Sequence, residues 1–145
     1  MRQLFILMLC LTLTGLTTFS QTIDFKLLIG TWHCYKRVPS ADSVDDAYMT
    51  FKTDSTYIEE RRYYENTTKG KYTLDRKNKK ISYKNLISTT KFTKGKVKLP
   101  DQIMDVGLQD SYIVLLDKDN LIFLLRKQDE GELQSDQKVY FKRVK

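Results

Sequence analysis

The chain has 145 residues, of which 30% are charged and 41% are hydrophobic, and its formal net charge is +7. This length is enough for one domain with one hydrophobic core and excludes a second domain of ordinary size. The moderate positive charge favours anionic partners weakly. It does not by itself indicate nucleic-acid binding, and we expect no nucleic-acid partner.

The N-terminus has the pattern of an export signal. Arg2 is followed by an apolar run over residues 4–13, and the run ends in small residues that favour cleavage after Ser20. The run is shorter than the roughly 20 apolar residues that a membrane-spanning helix needs. We therefore expect a signal peptide at 1–20 and a mature domain at 21–145, periplasmic or secreted, with no transmembrane segment.

Cleavage also removes Cys10, so Cys34 becomes the only cysteine of the mature chain and an intrachain disulfide is excluded. A lone cysteine can be a buried thiol or can pair between two chains. We expect a buried thiol, because Cys is among the most buried residue types. The core alone must then stabilise the fold.

Alternating apolar and polar residues predict β-strands throughout the mature chain, after a short helical turn at 23–28. We expect strands at 29–38, 47–53, 56–65, 69–75, 80–86, 87–98, 110–117, 120–127 and 137–144. Most of the links between them are short, which predicts antiparallel neighbours. The longer links at 39–46, 99–109 and 128–136 are expected to be loops. Such strands fit a sandwich or a closed barrel, and periodicity does not choose between them.

Gly30-Thr31-Trp32 at the start of the first strand resembles the Gly-x-Trp signature of lipocalins. Segments 49–57, 69–75 and 139–144 are similar in spacing to small bacterial lipocalin-like proteins of the calycin type. The resemblance spans residues 25–145. It implies an all-β fold, a single antiparallel up-and-down β-barrel of about eight strands.

The resemblance also implies how one end of the barrel is closed. Gly30 allows a close backbone approach, and Trp32 fills that end with a large apolar ring. Lipocalin-like families place a basic side chain from a late strand across the indole, where a cation–π contact stabilises by about 0.5–2 kcal/mol. The candidate by position is Arg143, and Arg126 competes for the role.

No group of residues in the sequence has the types and spacing that predict catalysis. His33 is the only histidine, and Cys34 beside it must point to the opposite face of the strand. Glu59 and Glu60 are likewise separated. One His and one Cys cannot supply a usual zinc site. We expect no catalytic residue, no metal and no cofactor.

The barrel interior is the first candidate site, because a barrel of eight strands is either filled by side chains or holds one small ligand. Alternation predicts inward sets at Met49 with Phe51, Tyr72 with Leu74, Ile81 with Tyr83, Tyr112 with Val114 and Leu116, and Leu121 with Phe123 and Leu125. The run 59–65 has charges on both alternating faces, so one Glu/Arg set must face inward, at a wet mouth or in a polar cavity. Candidate ligand contacts are Tyr57, Arg62, Tyr64, Tyr72, Tyr83 and Phe123.

The segment 69–98 is the second candidate site, since it contains eleven Lys or Arg and one acid, Asp75. This basic outer face could contact an anionic surface or an acidic protein, or it could be a solvated face that discourages edge pairing. Three hypotheses follow. The first is an exported, non-catalytic protein that binds a small apolar or amphipathic molecule. The others are an interaction or inhibitor module with a filled core, and an enzyme of unrecognised type.

Overall fold

The computed structural model describes residues 23–39, 46–91, 93–94, 97–98, 102–126 and 136–145. Two 3-10 turns lie at Phe25–Leu28 and Arg62–Tyr64. The strands are β1 Gly30–Val38, β2 Ala47–Phe51, β3 Thr56–Arg61, β4 Asn66–Asp75, β5 Lys80–Thr90, β6 Thr93–Lys94, β7 Val97–Lys98, β8 Gln102–Val106, β9 Ser111–Leu116, β10 Asn120–Leu125 and β11 Gln137–Arg143. The signal-peptide prediction at 1–20 lies outside the described residues.

Eight of these strands form a closed antiparallel barrel, consistent with a calycin-like fold. β1 pairs with β2 on one side and with β11 on the other, β2 to β5 follow in chain order, and β9 to β11 complete the ring. Strand β5 pairs with β9 at two positions, Lys80 with Tyr112 and Ile81 with Ser111. Beyond them β5 pairs with β8, which lies outside the eight-strand ring.

The core follows from the alternation of side chains along each strand, since every second residue of a barrel strand faces inward. The largest fully buried side chains are Trp32, Tyr57, Phe51, Phe123, Leu28, Ile81, Leu121 and Cys34. Phe51 contacts three other aromatic rings, with centroid distances of 5.2 to 6.4 Å. The described part of the interior is thus packed mainly by aromatic side chains near the Trp32 end.

The strand predictions between residues 80 and 109 are wrong in two places. Segments 80–86 and 87–98 were expected as two strands, yet β5 runs unbroken to Thr90. Asn85, at φ 52°, marks a bulge that bends this strand without ending it. Strand β8 also lies inside the predicted loop 99–109.

The predicted inward set on β9 is right at Leu116 and wrong at Tyr112 and Val114. Ser111, Ile113 and Leu116 are buried, whereas Val114 is 48% exposed. Ile122 pairs with Leu115 and Phe123 pairs with Ile113, so Val114 is an extra residue in this strand. A bulge of this kind shifts the alternation by one residue, and Tyr112 therefore faces outward.

Candidate functional site

The end of the barrel where β1 begins is closed by Trp32. Its ring is fully buried, and its Nε1 donates a hydrogen bond to the Leu28 carbonyl at 2.9 Å. The 3-10 turn that supplies this carbonyl is capped by Asp24, whose side chain accepts a hydrogen bond from the Lys26 amide. Because a buried indole N–H needs an acceptor, the turn both covers and orients the ring.

Arg143 lies over Trp32, with the guanidinium carbon 4.2 Å from the ring centroid. Its three nitrogens also donate to the backbone carbonyls of Leu27, Ile29 and Lys118. One side chain thus joins the first turn, the start of β1 and the turn between β9 and β10. The competing candidate, Arg126, lies over Tyr112 on the outer surface at 4.3 Å.

Gly30 fits the same arrangement for two reasons. Its φ of +133° is a conformation that residues with a Cβ rarely adopt. A Cβ built on Gly30 would lie 2.5 Å from Nη1 of Arg143. The glycine therefore makes room for the guanidinium that covers Trp32.

A cavity of about 140 Å³ lies inside the barrel, further along β1 from Trp32. Its described lining is Arg37, Met49, Tyr57, Glu59, Arg61, Tyr83, Leu108, Gln109, Ser111, Phe123, Leu125, Val139 and Phe141. Most of the wall is apolar or aromatic, with a few polar groups. A cavity of roughly 150 Å³ is large enough for one molecule of benzene, so this one fits a molecule of about that size.

Glu59 provides a buried carboxylate in this cavity. Tyr57 donates its hydroxyl to Oε2 at 2.7 Å, and Nε of Arg61 donates to Oε1 at 2.7 Å. Burial, and then the charge of Glu59, raise the pKa of Tyr57 well above its usual value. The hydroxyl therefore keeps its proton and remains a donor. Glu59 and Arg61 are the inward Glu/Arg set that the run 59–65 predicted.

Arg37 enters the cavity because β1 has a bulge. Cys34 pairs with Phe141 and Lys36 with Tyr140, so Tyr35 is an extra residue in β1. Without this bulge, alternation from Trp32 would place Lys36 inside and Arg37 outside. Within the described residues, Nε of Arg37 is buried and has no hydrogen-bond partner. Arg37 is not among the ligand contacts predicted from the sequence, since strict alternation gives no signal for a bulge.

The other predicted ligand contacts fall into three groups. Tyr83 and Phe123 line the cavity together with Tyr57. The Tyr83 hydroxyl donates to Ser111 at 3.2 Å, and burial raises its pKa. Tyr72 is buried and belongs to the core beside Phe51, where its hydroxyl donates to the Lys52 carbonyl at 2.9 Å.

Arg62 and Tyr64 lie outside the cavity. The 3-10 turn at Arg62–Tyr64 interrupts the alternation, so strand β3 ends at Arg61 and not at residue 65 as predicted. Arg62 lies over the ring of Tyr48 at 3.9 Å, and Tyr64 is 54% exposed. Arg62 and Tyr64 therefore do not lie beside the predicted contacts that line the cavity.

Comparison of the chain with protein-family models, with curated proteins and with solved structures found no match in any of the three.

The basic outer face forms an open groove of about 720 Å³ across β3, β4 and β5. Its described lining is Thr56, Thr67, Lys69, Gly70, Lys71, Asn85, Ile87, Thr89 and Lys91. Lys71 donates to the Asp54 carbonyl and to the Thr56 hydroxyl, both at 3.1 Å. Lys94 and Lys98 belong to the hairpin of β6 and β7, and Lys96 lies outside the described residues.

His33 and Cys34 point to opposite faces of β1, as predicted. Cys34 is buried in the core, whereas His33 lies on the outer surface, bonded to Asp46 at 2.9 Å and stacked on Tyr48. The described residues contain no group of three or more His, Cys, Asp or Glu that could hold a metal ion. Within the same residues, no helix is long and apolar enough to cross a membrane.

Proposed function

We propose that this chain is an exported, non-catalytic, lipocalin-like protein that binds one small apolar or amphipathic molecule inside its barrel. The observation that supports this most directly is the interior cavity, which combines an apolar wall with a few fixed polar groups, the usual composition of a ligand site. Tyr57, Tyr83 and Phe123 are the contacts retained from the sequence.

The size of the cavity limits the ligand. Sites for drug-sized molecules span about 300–1,000 Å³, which is at least twice the 140 Å³ found here. The ligand is therefore a single small molecule with about as many non-hydrogen atoms as benzene, and a long acyl chain does not fit in the described cavity.

Titration with benzene, followed through the backbone amide signals in NMR spectra, tests whether the cavity takes a ligand. We expect shifts at Met49, Phe123 and Val139. The variant Leu125→Trp should abolish them by filling the cavity, whereas the matched variant Val114→Trp adds the same ring outside and should leave them unchanged. Absence of any shift in the wild-type protein would contradict the proposal.

Export is tested by the mass of the protein recovered outside the cytoplasm. The proposal requires a mature chain that begins at Gln21, following cleavage after Ser20. A full-length chain retained in the cytoplasm would contradict export without affecting the cavity result. The absence of catalysis has its own test, because an activity that disappears in His33→Ala would show that the protein is an enzyme.

The groove on the outer face supports a second candidate function, binding of an acidic partner. Three lysines, Lys69, Lys71 and Lys91, surround the groove, and Ile87 within it is 48% exposed. Calorimetry with poly-glutamate should then show binding that weakens with salt. Combined reversal of the three lysines to Glu should abolish this binding and leave benzene binding unchanged. A wild-type protein that does not bind poly-glutamate would exclude this function for an acidic peptide.

A further inference from the structure

Arg37 is the one cavity-lining side chain, among those the structure describes, with a buried polar nitrogen that lacks a hydrogen-bond partner. A buried donor without an acceptor is costly, and native proteins rarely leave one. In the same wall, both oxygens of Glu59 accept hydrogen bonds, from Tyr57 and from Arg61. A ligand that completes the hydrogen bonding of this cavity must therefore supply a hydrogen-bond acceptor to Arg37.

The charges of the described wall point to an anion. Arg37 and Arg61 are positive and Glu59 alone is negative, which leaves one positive charge in excess. Arg61 is bound to Glu59, with an N–O distance of 2.7 Å, so the excess charge belongs to Arg37. A carboxylate is the acceptor that a guanidinium binds most strongly, because the hydrogen bond is then charge-assisted.

The apolar part of the cavity lies beside Arg37. Val139 is its direct neighbour across β1 and β11, and Phe141 and Phe123 continue the wall. The two rings are in contact, with centroids 5.4 Å apart. A short hydrocarbon chain extending from the anionic group would bury its surface here.

We infer that the ligand is a small carboxylate with a short apolar chain, and that Arg37 anchors its carboxylate. This inference rests on the proposed function, because it assigns the chemistry of the molecule that the cavity takes. The bulge at Tyr35 is the structural device that places Arg37 there, since it turns the side chain from the outer face to the interior.

Calorimetric titration with four probes of six non-hydrogen atoms tests the inference: butanoate, butanamide, pentylammonium and benzene. We expect butanoate to bind most tightly. In Arg37→Met its affinity should fall by roughly tenfold to a hundredfold, the effect of removing a hydrogen bond to a charged group. Dispersed amide signals in the NMR spectrum of ligand-free Arg37→Met show that the barrel is still folded. Lys36→Met, on the outer face, is the matched control and should leave butanoate binding unchanged.

The failures of the two proposals are distinguishable. If no probe binds, both the proposed function and the assignment of a carboxylate are wrong. If benzene binds and butanoate binds no better than butanamide, the cavity takes a ligand but Arg37 does not select an anion. Preference for pentylammonium would make Glu59 the anchor and overturn the inference. Equal loss of butanoate and benzene binding in Arg37→Met would show that Arg37 only maintains the fold.

Discussion

The guanidinium carbon of Arg143 lies 4.2 Å from the centroid of the Trp32 ring, and the two residues are direct neighbours across β1 and β11. Both strands meet here at the closed end of the barrel. The same guanidinium binds carbonyls on three separate segments. The contact thus fixes the first and last strands of the barrel to each other and to the turn that covers Trp32.

Replacement of Arg143 by Met should lower the free energy of unfolding by about 2–4 kcal/mol, since a cation–π contact and several backbone hydrogen bonds are lost. Arg143→Lys should recover only part of this stability, because an ammonium lacks the planar fork. Urea unfolding measures both. Arg126→Met, which removes a surface contact with Tyr112, is the control. Equal effects of Arg143→Met and Arg126→Met would contradict the role of Arg143.

The variant Gly30→Ala should be destabilised by about 1–3 kcal/mol because of its positive φ, with a further loss from the clash with Arg143. Gly107→Ala is the matched control, since nothing lies within 4 Å of a Cβ added there. Thermal unfolding of Gly30→Ala in the Arg143→Met background separates the two causes. The loss of unfolding free energy caused by Gly30→Ala should be smaller in that background. An equal loss in both backgrounds would leave the positive φ as the only cause.

Tyr57 and Tyr83 make the free energy of unfolding depend on pH in the alkaline range. Burial raises the pKa of both hydroxyls in the folded state. Their contribution to stability is therefore fully present below the unfolded pKa of about 10. It is lost as pH rises from there towards the folded pKa, because the unfolded state releases these protons first. Alkaline unfolding, followed by tyrosinate absorbance, should begin above about pH 10 in the wild-type protein. In the double variant Tyr57→Phe/Tyr83→Phe the pH at which unfolding begins should be higher. The two proteins are compared under conditions in which their free energies of unfolding at neutral pH are equal.

The ion pair between Lys80 and Asp110 should make the narrow contact of β5 with β9 sensitive to acid. Its atoms are 2.8 Å apart, and the hydrogen bond from Lys80 lowers the pKa of the Asp110 carboxyl. The contribution of a carboxyl with a lowered pKa is present above its unfolded value of about 3.9 and is lost as pH falls through the folded pKa. Hydrogen exchange at Ile81 measures this local effect.

Asp110→Asn should speed exchange at Ile81 at neutral pH and remove the acid dependence of that exchange. Asp105→Asn changes an exposed acid on β8 and is the control. It should alter neither the exchange rate at Ile81 at neutral pH nor the acid dependence of that rate. The same ion pair raises the pKa of Lys80, so its contribution should also be lost as pH rises through that folded value. Acid-dependent exchange that persists in Asp110→Asn would contradict this role of the pair.

Part of the candidate site could be predicted from the sequence. Tyr57, Tyr83 and Phe123 line the cavity because ordinary alternation holds around them. The charged run 59–65 correctly indicated that a Glu and an Arg face inward, since both of its alternating faces are charged. Arg62 and Tyr64 could not be placed, because the 3-10 turn that removes them from the strand has no clear signal in the run.

Turn residues and alternating apolar positions repeat through the mature chain, and they were sufficient to predict an all-β fold of antiparallel strands. The Gly-x-Trp segment also indicated where the barrel begins. The inward position of Arg37, by contrast, depends on how the strands pair in the folded barrel. The bulges at Tyr35 and Val114 each shift the inward face by one residue, and pairing with a neighbouring strand fixes a bulge, whereas local composition does not. For that reason Arg37, which the sequence pattern places outside, lies in the cavity.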